Sequence, residues 1–506
     1  MLKRWIKILL KVLLALFVLL FVFLLFERVR GQISLARYKR ELAAKGEKLT
    51  FRELIPPLPQ GENGAPEVIE AIKHLQMGLV LPDNPPPMMK KSLPRMGMAP
   101  SVHAIVGFRE SEWVEGKVTN HWDQLAADLK TNEATLAQIR LALAKPVLNN
   151  KLDYSQGIRM QFSHLAPAKS LTYWLGAGSQ LALHENKPHE AVDNLVAQIQ
   201  LPCLLLEDRI LISELVRIAI AGIANNATWE ALQADGWADE DLARLQQAWQ
   251  TEDFMTAMAS GLEGERAFGE TCYEQAKRSN EDAVKLFFWE EEFLFPDDGS
   301  HRSWWCEMLR RNVYCRIWRF AWLRQYEWRY LKYTQHLIEI ARTAAKEKSY
   351  GGILSSLEGL EKESLNISFY DKLRFPMASQ LPALSVAAKR PLRAEIEQTM
   401  TICAIALKRY SLRHGKPPAS LDMLVPEFLP SVPIDYMDGK PMKYRLNSDG
   451  SFTLYSVGED GKDDGGDASP SPNSKLGGLW SKRDFIWPSP ALPEEIEAYR
   501  KEAAKN

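Results

Sequence analysis

The sequence predicts a mainly α protein: an N-terminal transmembrane helix, an irregular helical bundle or short solenoid, then a small C-terminal α+β module with an antiparallel sheet. Three observations predict it. An apolar run near the N-terminus is long enough to cross a bilayer. From about Asn120 to Arg342, apolar residues recur at spacings of three and four with few strand-like alternations. Near the C-terminus, "PMKYRL", "NSDG" and "SFTLYSVG" read as strand, turn, strand.

Composition narrows the classes. A chain of 506 residues with 46% hydrophobic side chains can bury a sizeable core. Its 63 basic and 64 acidic residues leave a formal charge of −1, so no global field draws it to nucleic acid, and no nucleic-acid partner is expected. The five cysteines, Cys203, Cys272, Cys306, Cys315 and Cys403, form no C-x-x-C pair. That excludes the usual zinc and thioredoxin-like patterns and leaves buried thiols.

Residues 1–30 form a short tail and the anchor. From Ile8 to Phe26 only Lys11 interrupts the apolar run, which as a helix spans about 28 Å and matches the hydrocarbon thickness of a bilayer. "ERVRG" follows where a cleaved signal peptide would carry small residues, so the segment reads as a retained anchor. Lys3, Arg4, Lys7 and Lys11 hold the tail in the cytoplasm by the positive-inside tendency. The bulk of the chain then lies outside a cytoplasmic (inner) membrane that it crosses once, although Arg28, Arg30, Arg37, Lys39 and Arg40 make the far flank basic too.

Residues 31–119 read as a helix ending at Gly46, a Pro-rich extended stretch, a second helix and a loop from Pro82 to Pro100. Residues 120–392 form the helical body. Within it "AKSLTYWLGAGSQLALHENKPHEAVDNLVAQIQ" resembles one tetratricopeptide-type hairpin, in which small residues let two helices approach closely. "LISELVRIAIAGIANNATWEAL" adds a long apolar helix from Leu211 to about Leu232.

The stretch from Ser303 to Tyr333 interleaves Arg310, Arg311, Arg316, Arg319, Arg324 and Arg329 with Trp304, Trp305, Trp318, Trp322 and Trp328. Core or intersubunit packing is its first reading, because no clean basic face opposes a clean apolar one. Contact with a membrane surface comes second, and stacking on single-stranded nucleic acid last.

No H-E-x-x-H, G-x-S-x-G, Walker or G-x-G-x-x-G pattern is present. His184 and His189, five apart, do not share a helix face as zinc ligands would. Glu290, Glu291 and Glu292 flank an apolar segment as a solvated helix face does.

Residues 393–490 change texture. A helix from about Arg393 stops at Gly415, "SLDMLV" gives a short second helix with Ser420 as cap, and the two strands follow. Residues 491–506 are a tail. "YSLRHGKPPASL", "PIDYMDGKPMKYR", "LYSVGEDGKDDGGD" and the later "RDFIW" resemble the C-terminal module of the major pseudopilin of type II secretion systems. The resemblance covers about a fifth of the chain. It implies a calcium ion held after the "LYSVG" strand, with Asp460 and Asp467 as side-chain ligands, the Val457 carbonyl as a main-chain ligand, and Asp463 and Asp464 as substitutes. Such oxygens suit a hard cation. The competing reading is a solvated turn, since aspartate and glycine are ordinary turn residues. "MLKRWIKILLK" lacks the prepilin-peptidase site of that family, so the resemblance implies a shared module and not a pilus subunit.

The rest of the chain resembles uncharacterised anchored proteins of the planctomycete and verrucomicrobial type, a resemblance that carries no activity. The expected function is that of a membrane-anchored, non-enzymatic structural or binding protein with an envelope protein as partner, beside a secretion or pilus-like apparatus. A membrane-tethered hydrolase, its carboxylates in the helical body, is the alternative.

Overall fold

The computed structural model describes residues 2–57, 60–86, 90–91, 103–105, 108, 110–115, 118–294, 304–349, 351–365, 368–375, 381–469 and 483–503. The fold is mainly helical, with one long apolar N-terminal helix and small antiparallel sheets. Most of the loop expected from Pro82 to Pro100, and the stretch 470–482 after the acidic loop, lie outside the described residues.

Helix α1 runs Leu2–Ala44 without a break, so the apolar span and the following amphipathic helix are one rod. Short α2 (Phe51–Leu54) and α3 (Ala65–Lys73) follow. Then come β1 (Lys90–Lys91), β2 (His103–Ile105) and the hairpin β3 (Glu112–Glu115) with β4 (Val118–His121). Next are α4 (Trp122–Thr131), α5 (Glu133–Leu143), α6 (Leu165–His184), α7 (Pro188–Gln200), α8 (Cys203–Leu206), α9 (Leu211–Ala231) and α10 (Asp239–Trp249). The hairpin expected in "LGAGSQLALHENKPHEAV" is α6 and α7. Gly178 makes its close approach, since a Cβ there would meet the Asn194 amide at 3.1 Å.

The second half holds α11 (Phe254–Arg278), α12 (Asn280–Leu294), α13 (Trp304–Leu309), a π-helical turn Arg310–Tyr314, α14 (Cys315–Ala321), α15 (Leu323–Glu347), α16 (Gly351–Leu365) and α17 (Phe369–Arg374). Helix α11 starts where Asp253 accepts the Thr256 N–H and ends on Lys277 and Arg278, the polarity a helix dipole favours. Helix α18 (Leu381–His414) begins twelve residues before the expected Arg393 and runs through Pro391. An interior proline costs about 3 kcal/mol. Burial of Leu381, Ala387, Ala388 and Leu392 against α15 and α16 outweighs it.

The C-terminal sheet pairs β7 (Lys443–Leu446) with β8 (Phe452–Ser456) in the expected strand–turn–strand, and β9 (Phe485–Ile486) joins β8 antiparallel. The residues of "SLDMLV" form a single 3₁₀ turn. The pair β5 (Ile434–Asp435) and β6 (Lys440–Pro441) sits beside this sheet in sequence, and β10 (Ser489–Pro490) pairs in parallel with β2. A last helix, α19, spans Pro493–Ala503.

Two cores result. One gathers α3 to α10; the other gathers α9, α11, α15, α16 and the C-terminal module, with Leu454 and Val457 fully buried. Helix α18 belongs to both: Ala404 and Ile405 face the first, Met400, Cys403 and Leu407 the second. The C-terminal module therefore shares its core with the body, and α1 and α18 cross the divisions expected at residues 30 and 392. Cys272, Cys315 and Cys403 are buried free thiols and Cys203 is partly buried.

Candidate functional site

Beyond Phe26 α1 extends a further eighteen residues, about 27 Å, into the helical body. Gly31 permits this, since a Cβ there would lie 2.8 Å from Cγ of Gln325 on α15. The face turned to the body carries polar contacts as well as apolar residues. At the end next to the apolar run, buried Glu27 accepts the Gln325 side-chain N–H at 2.9 Å and pairs with Arg30 at 3.1 Å. Arg374 of α17 completes this set by donating to Gln325 Oε1 at 3.0 Å.

Three turns on, Lys39 Nζ enters a cluster of carboxylates from α11 and α15. It contacts Glu270, lies 2.6 Å from Glu327, and is 3.9 Å from Glu274. Lys277 serves the same acids from α11, at 2.6 Å from Glu327 and 2.8 Å from Glu274. The three carboxylates approach within 4.8 Å of one another, close enough to hold a metal ion. Two ammonium groups already answer them. Burial, and then the charge of Glu327, push the Glu270 carboxyl well above the usual carboxylate range, which offsets the remaining excess negative charge.

The end of the rod is clamped. Glu47, just past the helix, receives Arg342 at 2.6 Å, Arg266 at 3.0 Å and Gln335 at 3.1 Å. Burial alone would raise its pKa, but hydrogen bonds from Arg342, Gln335 and Arg266 lower it to about 2. The fully buried Arg266 also donates to the Lys48 carbonyl at 2.8 Å.

A second buried cluster has the residue types of a hydrolytic triad without its order. His164 Nε2 and Ser213 Oγ each lie 2.7 Å from the same oxygen of Asp208. The serine proton is directed to the carboxylate, and the imidazole is not hydrogen-bonded to the serine as a general base would be. The cluster ties α6 to α9.

Each residue expected to bind calcium has a hydrogen-bond or ion-pair partner. Asp460 caps the Lys462 N–H at 3.1 Å, and Asp463 accepts Tyr455 Oη at 2.9 Å and the Gly465 N–H at 3.0 Å. Asp464 faces Arg483 at 3.5 Å, and Asp467 accepts the Ser469 N–H at 2.9 Å and hydroxyl at 2.8 Å. The Val457 carbonyl accepts Ser456 Oγ at 3.2 Å. Among the described residues, these aspartates form no group of three converging carboxylates.

Two other acids organise the loop. Asp484 is fully buried and accepts the N–H groups of Gly466 at 2.8 Å, Asp467 at 3.1 Å and Asp464 at 3.5 Å. Gly465 and Gly466 have φ of +74° and +83°, the left-handed backbone that lets consecutive N–H groups curl around one carboxylate. Asp435 does the same before the loop, accepting Val457 N–H at 2.9 Å and Ser456 Oγ at 2.7 Å. Neither was singled out from sequence, although each stands as a lone acid among apolar neighbours in "PIDYM" and "RDFIW".

The Trp/Arg stretch divides. Trp318 is fully buried and Trp322 nearly so, while Arg319 donates to the Ala276 and Lys277 carbonyls at 2.7 Å. Core packing therefore accounts for its second half. Trp305 is 62% exposed. The side chains of Trp304, Cys306 and Glu290 to Glu292 lie outside the described set. No family model, curated protein or solved structure matches the chain.

Proposed function

We propose that the chain is a membrane-anchored structural or binding protein of the cell envelope, its helical body held outside the cytoplasm at a fixed attitude to the bilayer. The observation that supports this best is the unbroken α1, which enters the body and is fixed there by the Glu27, Lys39 and Glu47 contacts. A tether that only confined the body near a membrane would need no such joint. Neutralisation of Glu270, Glu274 and Glu327 by Lys39 and Lys277 favours a structural role for those acids over a hydrolytic one. The resemblance of residues 393–490 to the pseudopilin module supports an envelope protein of a secretion or pilus-like apparatus as partner. It also supports calcium at the loop as a stabiliser.

The test is topological. Exposed Lys416→Cys is labelled with a membrane-impermeant maleimide on intact spheroplasts, with the unsubstituted chain as control. Labelling without permeabilisation, together with resistance to alkaline extraction, is expected. Labelling only after lysis places the body in the cytoplasm and overturns the reading.

A further inference from the structure

The level at which the body meets α1 is set by aromatic contacts. Phe320 of α14 stacks on Phe21, with ring centroids 6.3 Å apart, and Tyr370 of α17 meets Phe23 at 6.2 Å. Phe21 lies five residues inside the apolar run that ends at Phe26, which on a helix is about 7 Å. If α1 crosses a bilayer, α14 must descend to that depth beside it. Helices lying in a membrane interface sit about 5–10 Å into the headgroup–acyl boundary.

The segment leading into α14 has the surface such a position demands. Trp305, Leu309 and Val313 are 62%, 53% and 48% exposed and stand four residues apart. The π-helical turn at Arg310–Tyr314, with its wider i→i+5 bonds, offsets the drift that this spacing accumulates on an α-helix, so the three share one face. The other side is held to the body: the Arg310 guanidinium lies 5.9 Å over the Phe287 ring, and Tyr314 meets the same ring edge-on at 5.6 Å. Arg311 and Arg316 are exposed beside the apolar face, as basic residues at a headgroup layer would be.

We propose that α13, the π-turn and the start of α14 form a monotopic element that inserts Trp305, Leu309 and Val313 among the acyl chains of the outer leaflet, next to the α1 span. The occupant of this face is the bilayer, and the element gives the body a second attachment to it. The proposal rests on the reading of α1 as an anchor.

The full chain is reconstituted in phosphatidylcholine/phosphatidylglycerol vesicles whose acyl chains carry bromine near the headgroup end, which quenches tryptophan emission on contact. Trp305→Phe removes the proposed reporter, and Trp5→Phe removes a tryptophan on the tail side of the span. Both residues are exposed, at 62% and 67%, so neither substitution disturbs the core. Loss of part of the quenchable emission in Trp305→Phe is the expected result. Quenching that falls in Trp5→Phe but is unchanged in Trp305→Phe leaves the anchor in place and overturns the inserted face. Quenching unchanged in both overturns the anchor reading and the inserted face together.

Discussion

Lys39 Nζ of α1 lies 2.6 Å from the Glu327 carboxylate of α15, which has no exposure to solvent. The pair joins the rod that carries the apolar span to the centre of the helical body. Removing one partner of a buried ion pair strands the other charge, at a cost of about 3–5 kcal/mol. Lys39→Met should lower stability toward that range, with Lys277 reducing the loss. Lys39→Met with Glu327→Gln should recover much of it. Denaturant midpoints of the detergent-solubilised chain measure both, and a single variant as stable as the parent would remove the joint from the account.

Glu47 makes the joint sensitive to acid. Its pKa falls from 4.5 to about 2 in the fold, so its contribution is fully present above about 4.5 and is lost as pH drops toward 2. Denaturation of the parent and of Glu47→Gln across this window should show a steeper decline in the parent. Parallel curves would mean that the Arg342 and Arg266 contacts do not bias its protonation.

Gly264 of α11 lets the loop between α8 and α9 lie against it. A Cβ there would lie 1.6 Å from the Arg209 carbonyl oxygen, a backbone atom that cannot swing aside, and Arg209 is itself held at φ +48°. Gly264→Ala should cost at least about 1–3 kcal/mol. Gly222→Ala, which meets nothing within 4 Å in α9, should instead gain about 0.5–1 kcal/mol. Thermal unfolding of the two variants checks the contrast.

The acidic loop separates two accounts of its stability. Calcium bound only to the folded chain at 100 times its dissociation constant adds about 2.7 kcal/mol, and Asp460→Asn should abolish that gain. Asp484→Ala strands N–H groups of the loop whether or not calcium is present, at about 1–3 kcal/mol. Unfolding of the full chain with calcium and with chelator reads both. A midpoint indifferent to calcium but lowered by Asp484→Ala would show that the loop is closed from within.

Local patterns in the sequence announced the span, the α6–α7 hairpin and the β7–β8 strand pair because each is encoded by neighbours. The joint was not legible, since Lys39 and Glu270 stand 231 residues apart and a surface lysine has the same local signature as a buried one. Only the stripe Glu270, Glu274, Lys277 on α11 hinted that one helix face carries matched charge. The acidic loop poses a different problem. Its aspartates are conspicuous as a run, yet backbone N–H groups turned by glycine converge on Asp484, which looks ordinary in sequence.

Helix α1 has no break between its apolar run and Ala44, and this gives the molecule a mechanical property. A spanning helix adapts to bilayer thickness by tilting. If the apolar run of α1 spans a bilayer as proposed, the stiff arm of about 27 Å that follows it is carried sideways at its far end by about 5 Å for each 10° of tilt. A body on a loose leash would ignore such changes. This one would swing with them, so that membrane thickness becomes a coordinate of where its outer surfaces stand.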